Sequence, residues 1–398
     1  MMDASSYVES AGSPAIVLGG GINGLSAVRS LAQAGLRSIV VIDHERDPAA
    51  VSRYSRKFVV TTFDGMAFID QLLHLRKALP ADGVLICVDD RPALAVSRYR
   101  DQLAPYFRFR LPAHDLLRDL ALKESFFHLA KRDGYPVPRT RLLRNRAELG
   151  ELCDFTPPLC IKPNSHSPAY LSSFQKAYRV ETKAEARLLC ERVMNAVGEV
   201  IVQEWIEGAN DSIYFCLCYM GQPEPVVFTG RKGRSWPPQT GITASCWAAP
   251  EVAPELEELT INFFRSVGVT SGFASMEYKR DQRNGRFLMV EPTVGRTDGQ
   301  EEISALCGIN LCYVGYCDAA GLPQPRLVLD PTHVWRDELL DLRSAQVLGT
   351  RRSYPSGYRL HNAYWRYNDP APALLRMIQY AKSAIRRRPK HSSQLVVQ

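Results

Sequence analysis

The chain has no run of about 18 apolar residues such as a membrane-spanning helix needs. It has no Cys-x-x-Cys pair, no internal repeat, no low-complexity tract, and no acidic residue after Asp369. The first absence excludes a helical membrane protein. The opening stretch, residues 1–14, also lacks the basic and apolar regions of a secretory leader, so a cytoplasmic protein is expected. Its ten cysteines mostly interrupt apolar runs, which fits buried, reduced thiols. Cys307, Cys312 and Cys317 recur at intervals of five, but no histidine accompanies them and the spacing fits no zinc pattern. Cys246 lacks the His and Asn partners of a nucleophile.

The missing C-terminal acids shape the charge. Lys plus Arg minus Asp plus Glu is 49 − 42 = +7, of which Arg376, Lys382, Arg386, Arg387, Arg388 and Lys390 carry +6, leaving +1 for the body. A nucleic-acid surface needs its basic groups spread along one face, so no nucleic-acid partner is expected. The last segment instead reads as a basic amphipathic helix. Leu374, Ile378, Ala381 and Ile385 lie on one side, with Met377 nearby, and Pro389 ends it. Residues 373–390 could rest on an anionic membrane or pack on the body.

At 398 residues and 45% hydrophobic, the chain exceeds one core and divides into two or three domains. Residues 1–13 read as a flexible arm. Residues 14–113 read as a doubly wound α/β unit: strand Ala15–Leu18, the turn Gly19 to Gly24, a helix from Leu25, strand Ser38–Ile42 ending in Asp43, and strand Gly83–Val88 ending in Asp89 and Asp90. Residues 114–325 read as α+β, and residues 326–398 as a C-terminal extension.

The turn fits G-x-G-x-x-G through Gly19, Gly21 and Gly24, and Asp43 stands nineteen positions after Gly24. That pattern suits a dinucleotide, and an NAD-dependent oxidoreductase is the reading it carries, although nothing downstream supplies hydride chemistry. Glycines that let a backbone approach another small ligand, or that serve packing, are the alternative.

More chemistry lies in the second half. Residues 273–280 and 286–292 flank Asp281 to Gly285, with Asn-Gly at the turn of a hairpin. Counting outwards, Glu277 faces Glu291, and Thr293 shares the face of Glu291. Facing carboxylates want a cation between them, either Mg²⁺ or a side chain such as Lys279 or Arg296. Lys123 opens a helix, and Lys162 ends an apolar strand, where a charge wants an anionic partner. Gln203, Glu204, Trp205 and Ile206 run from an apolar strand toward Gly208, a flat hinge suited to an adenine ring. Thr229 to Pro238 gathers Arg231, Lys232 and Arg234, which read as a solvated basic turn or as phosphate contacts.

In this order, the series resembles the ATP-grasp carboxylate–amine ligases over residues 115–325, with residues 14–110 similar to their preceding Rossmann-like domain. The segment Val290 to Gln300 is nearest the D-aspartate ligase-like branch. The resemblance implies a two-subdomain ATP-grasp fold after a Rossmann-like domain, with ATP and Mg²⁺ as cofactors and a small carboxylate and an amine as substrates. Lys123, Lys162, Gln203, Glu204, Trp205, Ile206 and Asp211 would then bind nucleotide, and Glu277, Glu291 and Thr293 the metal. Lys232, Arg234 and Arg296 would be catalytic, and Gly20, Gly21, Asn23, Asp89 and Asp90 would line the substrate site. Thr293 replaces the family's usual asparagine, and residues 163–174 lack the glycines of its phosphate-covering loop. A protein that binds ATP without turnover is the third reading, motivated by Thr293 and the basic tail.

Overall fold

The computed structural model describes residues 12–164, 170, 173–221, 223–351 and 354–386, the last four without their side chains. The arm through residue 11, Ser165, His166, Ser167 and Ser172 of the loop after Lys162, and the tail from Arg387 lie outside the described residues.

Strands β1 (Ala15–Leu18), β2 (Ser38–Ile42), β3 (Ser55–Val59), β4 (Gly83–Cys87) and β5 (Phe107–Arg108) form one parallel sheet in the order β3-β2-β1-β4-β5. β1, β2 and β4 are buried along their whole length, which is why they read as unbroken apolar runs. β3 alternates, as an edge strand does, and the sequence pattern missed it. Chain order reverses between β1 and β4, so the carboxyl ends of these two strands open a crevice. The glycine turn and Asp90 lie at that crevice.

A small antiparallel sheet follows, from β6 (Thr140–Leu143), β7 (Leu159–Lys162), β8 (Tyr178–Val180) and β9 (Val200–Glu204), ordered β6-β9-β7-β8. One apolar core joins it to the helix Lys183–Val197, which opens on a capping box of Thr182 and Glu185 and closes on Gly198 in the left-handed region.

The third sheet holds seven strands: β10 (Ile213–Met220), β11 (Val226–Trp236), β12 (Ile242–Ala248), β13 (Gly272–Arg280), β14 (Phe287–Val294), β15 (His333–Arg336) and β16 (Arg359–Asn362). Their order is β14-β13-β10-β11-β12-β15-β16. Two expectations change here. The segment Thr229 to Trp236 is strand, not a basic turn. The boundary at 325 falls inside one sheet, because β15 pairs with β12. All ten cysteines are free thiols, nine of them buried, and the described residues hold no cluster of three or more His, Cys, Asp or Glu arranged for a metal. Burial pushes the Cys246 thiol well up, away from a nucleophile's range.

Candidate functional site

The hairpin sets the site. β13 and β14 pair so that Glu277 stands opposite Glu291, and Thr293 opposite Ser275, with a bulge after Glu277. The two carboxylates are answered by lysines from three other elements. Lys232 on β11 meets Glu277 at 2.5 Å, Lys123 meets Glu291 at 2.9 Å, and Lys176 lies 3.8 Å from the other oxygen of Glu291. Neither Lys279 nor Arg296, the partners the sequence offered, fills that place. Lys123 is held there because Asn164, just past β7, accepts from the Glu124 amide with its side chain and from the Lys123 amide with its carbonyl.

Two cavities meet along this wall, and Lys123, Lys176, Gly241, Glu277 and Glu291 line both. The narrower is a slot between the small sheet and the large one. It is lined by Gln203, Glu204, Trp205 and Ile206 at the end of β9, by Lys162 at the end of β7, and by Lys279. Lys162 and Lys279 are both buried, and among the described residues neither ammonium has a carboxylate within ion-pair distance. Each rests on an aromatic ring instead: Lys162 on Phe127 at 4.9 Å, Lys279 on Trp205 at 4.2 Å. Burial lowers the pKa of Lys162, and lowers that of Lys279 to about 8. Two buried ammonium groups without counterions, beside a flat hinge, make a slot that fits an anion carrying an aromatic group.

The wider cavity, about 310 Å³, opens against the β1–β4 crevice. Asn23, Asp90, Ser275, Thr293, Arg296 and Asp298 lie on it. Arg296 is clamped between Asp90 and Asp298, the latter at 3.3 Å. Burial opposes its charge, but these carboxylates outweigh burial and raise its pKa. Asp298 in turn accepts from Ser275 at 2.5 Å.

Several expected residues are elsewhere. Arg234 is two positions from Lys232 and should share its face, but a bulge intervenes: Lys232 pairs with Cys246, and Arg234 with the very next residue, Ser245. Arg234 therefore turns to Asp341, at 2.7 Å in a fully buried pair, and does not line either cavity. Asp211 also stays outside the slot. The turn Asn210–Ser212 is fixed by Asn210, whose Oδ1 accepts from Ser235 and Gln239, and this leaves Asp211 more than half exposed beside Arg231. Gly20 serves packing, since a Cβ there would strike Ile42 and Asp47. Gly21 faces a neighbouring cavity, and Asp89 is not on the wall of the wide one. Asp43, the dinucleotide acid of the sequence pattern, is engaged by Arg91 at 2.9 Å.

Conversely, the sequence reading missed Lys176, Asp298 and Ser275. No motif marks Lys176, which follows a loop without a recognisable pattern. The sequence offers Lys279 as one alternative partner of the glutamates, and the period of two that puts it on the face of Glu277 is the available signal for its place in the slot.

The fold is shared with enzymes of known structure. N5-carboxyaminoimidazole synthetase from Staphylococcus aureus, complexed with ADP, superimposes with a TM-score of 0.62 at 12% identity, covering 81% of each chain. L-Amino acid ligase from Bacillus licheniformis gives 0.62 at 15% identity, covering 82% of this chain and 79% of that one. The chain has the ATP-grasp fold of these enzymes. No family model matches it. In sequence, the chain is similar to D-aspartate ligase of Enterococcus faecium (strain Aus0004), at 26% identity over 316 residues and 74% of each chain. These likenesses favour a ligase over an NAD-dependent oxidoreductase.

Proposed function

We propose that this chain is an ADP-forming carboxylate–amine ligase, joining a small carboxylate such as an amino acid to an amine through an acyl phosphate. The observation that carries the reading is the shared wall: Lys123, Lys176, Glu277 and Glu291 stand between a nucleotide-shaped slot and a polar cavity. A phosphoryl group passing from one cavity to the other must pass these residues.

In this reading the slot takes ATP, with the base along Gln203 to Ile206 and Lys279, and the phosphates toward Lys162 and Lys123. Glu277 and Glu291 offer hard oxygen donors that fit Mg²⁺, with Thr293 beside them. Two carboxylates suit this ion, which takes its remaining ligands from phosphate and water. The ion offsets phosphate charge, and ATP supplies the phosphoryl group that activates the carboxylate. Glu277 and Glu291 would hold the ion, and Lys123, Lys176 and Lys232, which now pair with these carboxylates, would then be available to phosphate oxygens. Arg296, its charge secured by Asp90 and Asp298, is placed to stabilise the oxyanion formed when the amine attacks. Residues 14–113 act as a Rossmann-like substrate domain, and residues from 114 as the ATP-grasp unit. The carboxylate and amine meet at the β1–β4 crevice, near Asn23 and Asp90.

The relative's name makes D-aspartate the first substrate to test. Purified protein with ATP, Mg²⁺, D-aspartate and a panel of amines is expected to release ADP and phosphate only when both substrates are present, and Glu291→Gln should slow that release on the order of 10²-fold. Binding of ATP without turnover across a broad panel of amino acids would favour a non-catalytic nucleotide-binding protein.

A further inference from the structure

The helix Ala371–Arg386 turns its apolar side away from the protein. Leu374, Met377, Ile378 and Ala381 recur at the spacing of one helical face, the stripe that ordinarily packs inward. Here Leu374 is 52%, Met377 67% and Ile378 53% exposed, and Ala381 is exposed as well. The inward side is instead mixed. Ala373 is buried, Arg376 lies over the Tyr364 ring at 5.2 Å, and Gln379 donates to the Arg46 carbonyl at 2.6 Å.

This orientation is fixed at the helix start. Asp369, buried just before it, pairs with buried Arg29 at 3.0 Å and accepts from the Ser52 hydroxyl and the Arg53 amide. Arg29 also donates to the carbonyls of Ala363 and Tyr364. Rolling the stripe inward would pull Arg376 off Tyr364 and strain this buried pair. Among the described residues, nothing covers the stripe.

We propose that the outward stripe is a docking surface for an anionic lipid bilayer. Charge selects this occupant. No acid follows Asp369, while Lys382, Arg386, Arg387, Arg388 and Lys390 follow or flank the stripe in sequence. Phosphate headgroups answer a run of cations with no acid among them. The stripe spans about two helical turns, enough to lie in the headgroup boundary. No described helix is long and apolar enough to cross a membrane. Trp365 and Tyr367, exposed just ahead of the helix, are residue types that favour that boundary. The proposal does not depend on the ligase reading.

The test is flotation of the full chain with vesicles of phosphatidylcholine alone or mixed with phosphatidylglycerol, alongside sedimentation velocity without lipid. The chain is expected to float with the anionic vesicles only, less so at high salt. The double variant Met377→Glu, Ile378→Glu should lose at least about tenfold in partitioning while keeping its melting temperature. Absence of flotation, or flotation unchanged in the double variant, overturns the proposal. So does a lipid-free dimer that the double variant converts to monomer, because a second copy would then be the occupant.

Discussion

Arg234 separates what its sequence suggests from what its surroundings allow. Its neighbours in sequence recommend it as a phosphate contact, whereas in the structure it is 7% exposed, and its Nε donates to Asp341, which is 0% exposed, at 2.7 Å. The Tyr354 hydroxyl also donates to Asp341, and the guanidinium lies 5.4 Å from the centre of the Tyr354 ring. Arg234→Met therefore leaves a buried carboxylate with a hydroxyl as its remaining side-chain partner. Breaking one side of such a pair costs about 3–5 kcal/mol, whereas replacing both sides with apolar groups is often neutral. At roughly 2–4 °C per kcal/mol for a large domain, the single variant should melt roughly 6–20 °C lower, and Arg234→Met with Asp341→Leu should recover most of that. Differential scanning fluorimetry reads the first quantity, and ADP release well below the melting temperature reads the second. The folded single variant is expected to keep its turnover within about threefold. Melting within about 1 °C of the parent, together with loss of turnover, would refute the structural role and return Arg234 to the phosphates.

Other outcomes follow from the shared wall and the buried acids. Glu291→Gln should lower kcat on the order of 10²-fold and raise the Mg²⁺ needed for half-maximal rate at least about tenfold; an unchanged Mg²⁺ titration would remove Glu291 from the metal site. Lys176→Met should lower kcat about 10²-fold while shifting stability by less than about 0.5 kcal/mol; full activity would mean that its place between the cavities is incidental. Glu301 is buried, and that burial, with Asp298 nearby, raises its pKa from 4.5 to about 8. The folded state then holds a proton that the unfolded state has lost, so stability falls as pH rises from 4.5 to about 8 and levels off above. Glu301→Gln should remove this slope and stabilise the protein by about 2–4 kcal/mol near the upper end. Parallel melting curves of parent and variant across that range would show that Glu301 does not titrate in it.

Much of the architecture was legible because local chemistry enforces it. Buried parallel strands must be apolar throughout, so β1, β2 and β4 announced themselves, and Asn284-Gly285 marked the hairpin whose register brings Glu277 to Glu291. Edge strands and late additions to a sheet carry no such mark. β3 alternates weakly, and β15 and β16 join the large sheet only by reaching back to β12.

The sequence by itself therefore determined the layered α/β class, the order of the lysines and facing glutamates, and the concentration of charge in the last thirty or so residues. Tertiary structure decided which cation meets which anion. The bulge at Gly233, the first of two register shifts between β11 and β12, sent Arg234 into the core and left Lys232 on Glu277, and one residue of register is enough to reverse a side chain's face. It also brought Lys176, from the loop before β8, and Lys279, from β13, to one slot. Amphipathic spacing revealed the stripe on the last helix, but only the anchoring of Asp369 by Arg29 determined that the stripe faces outward.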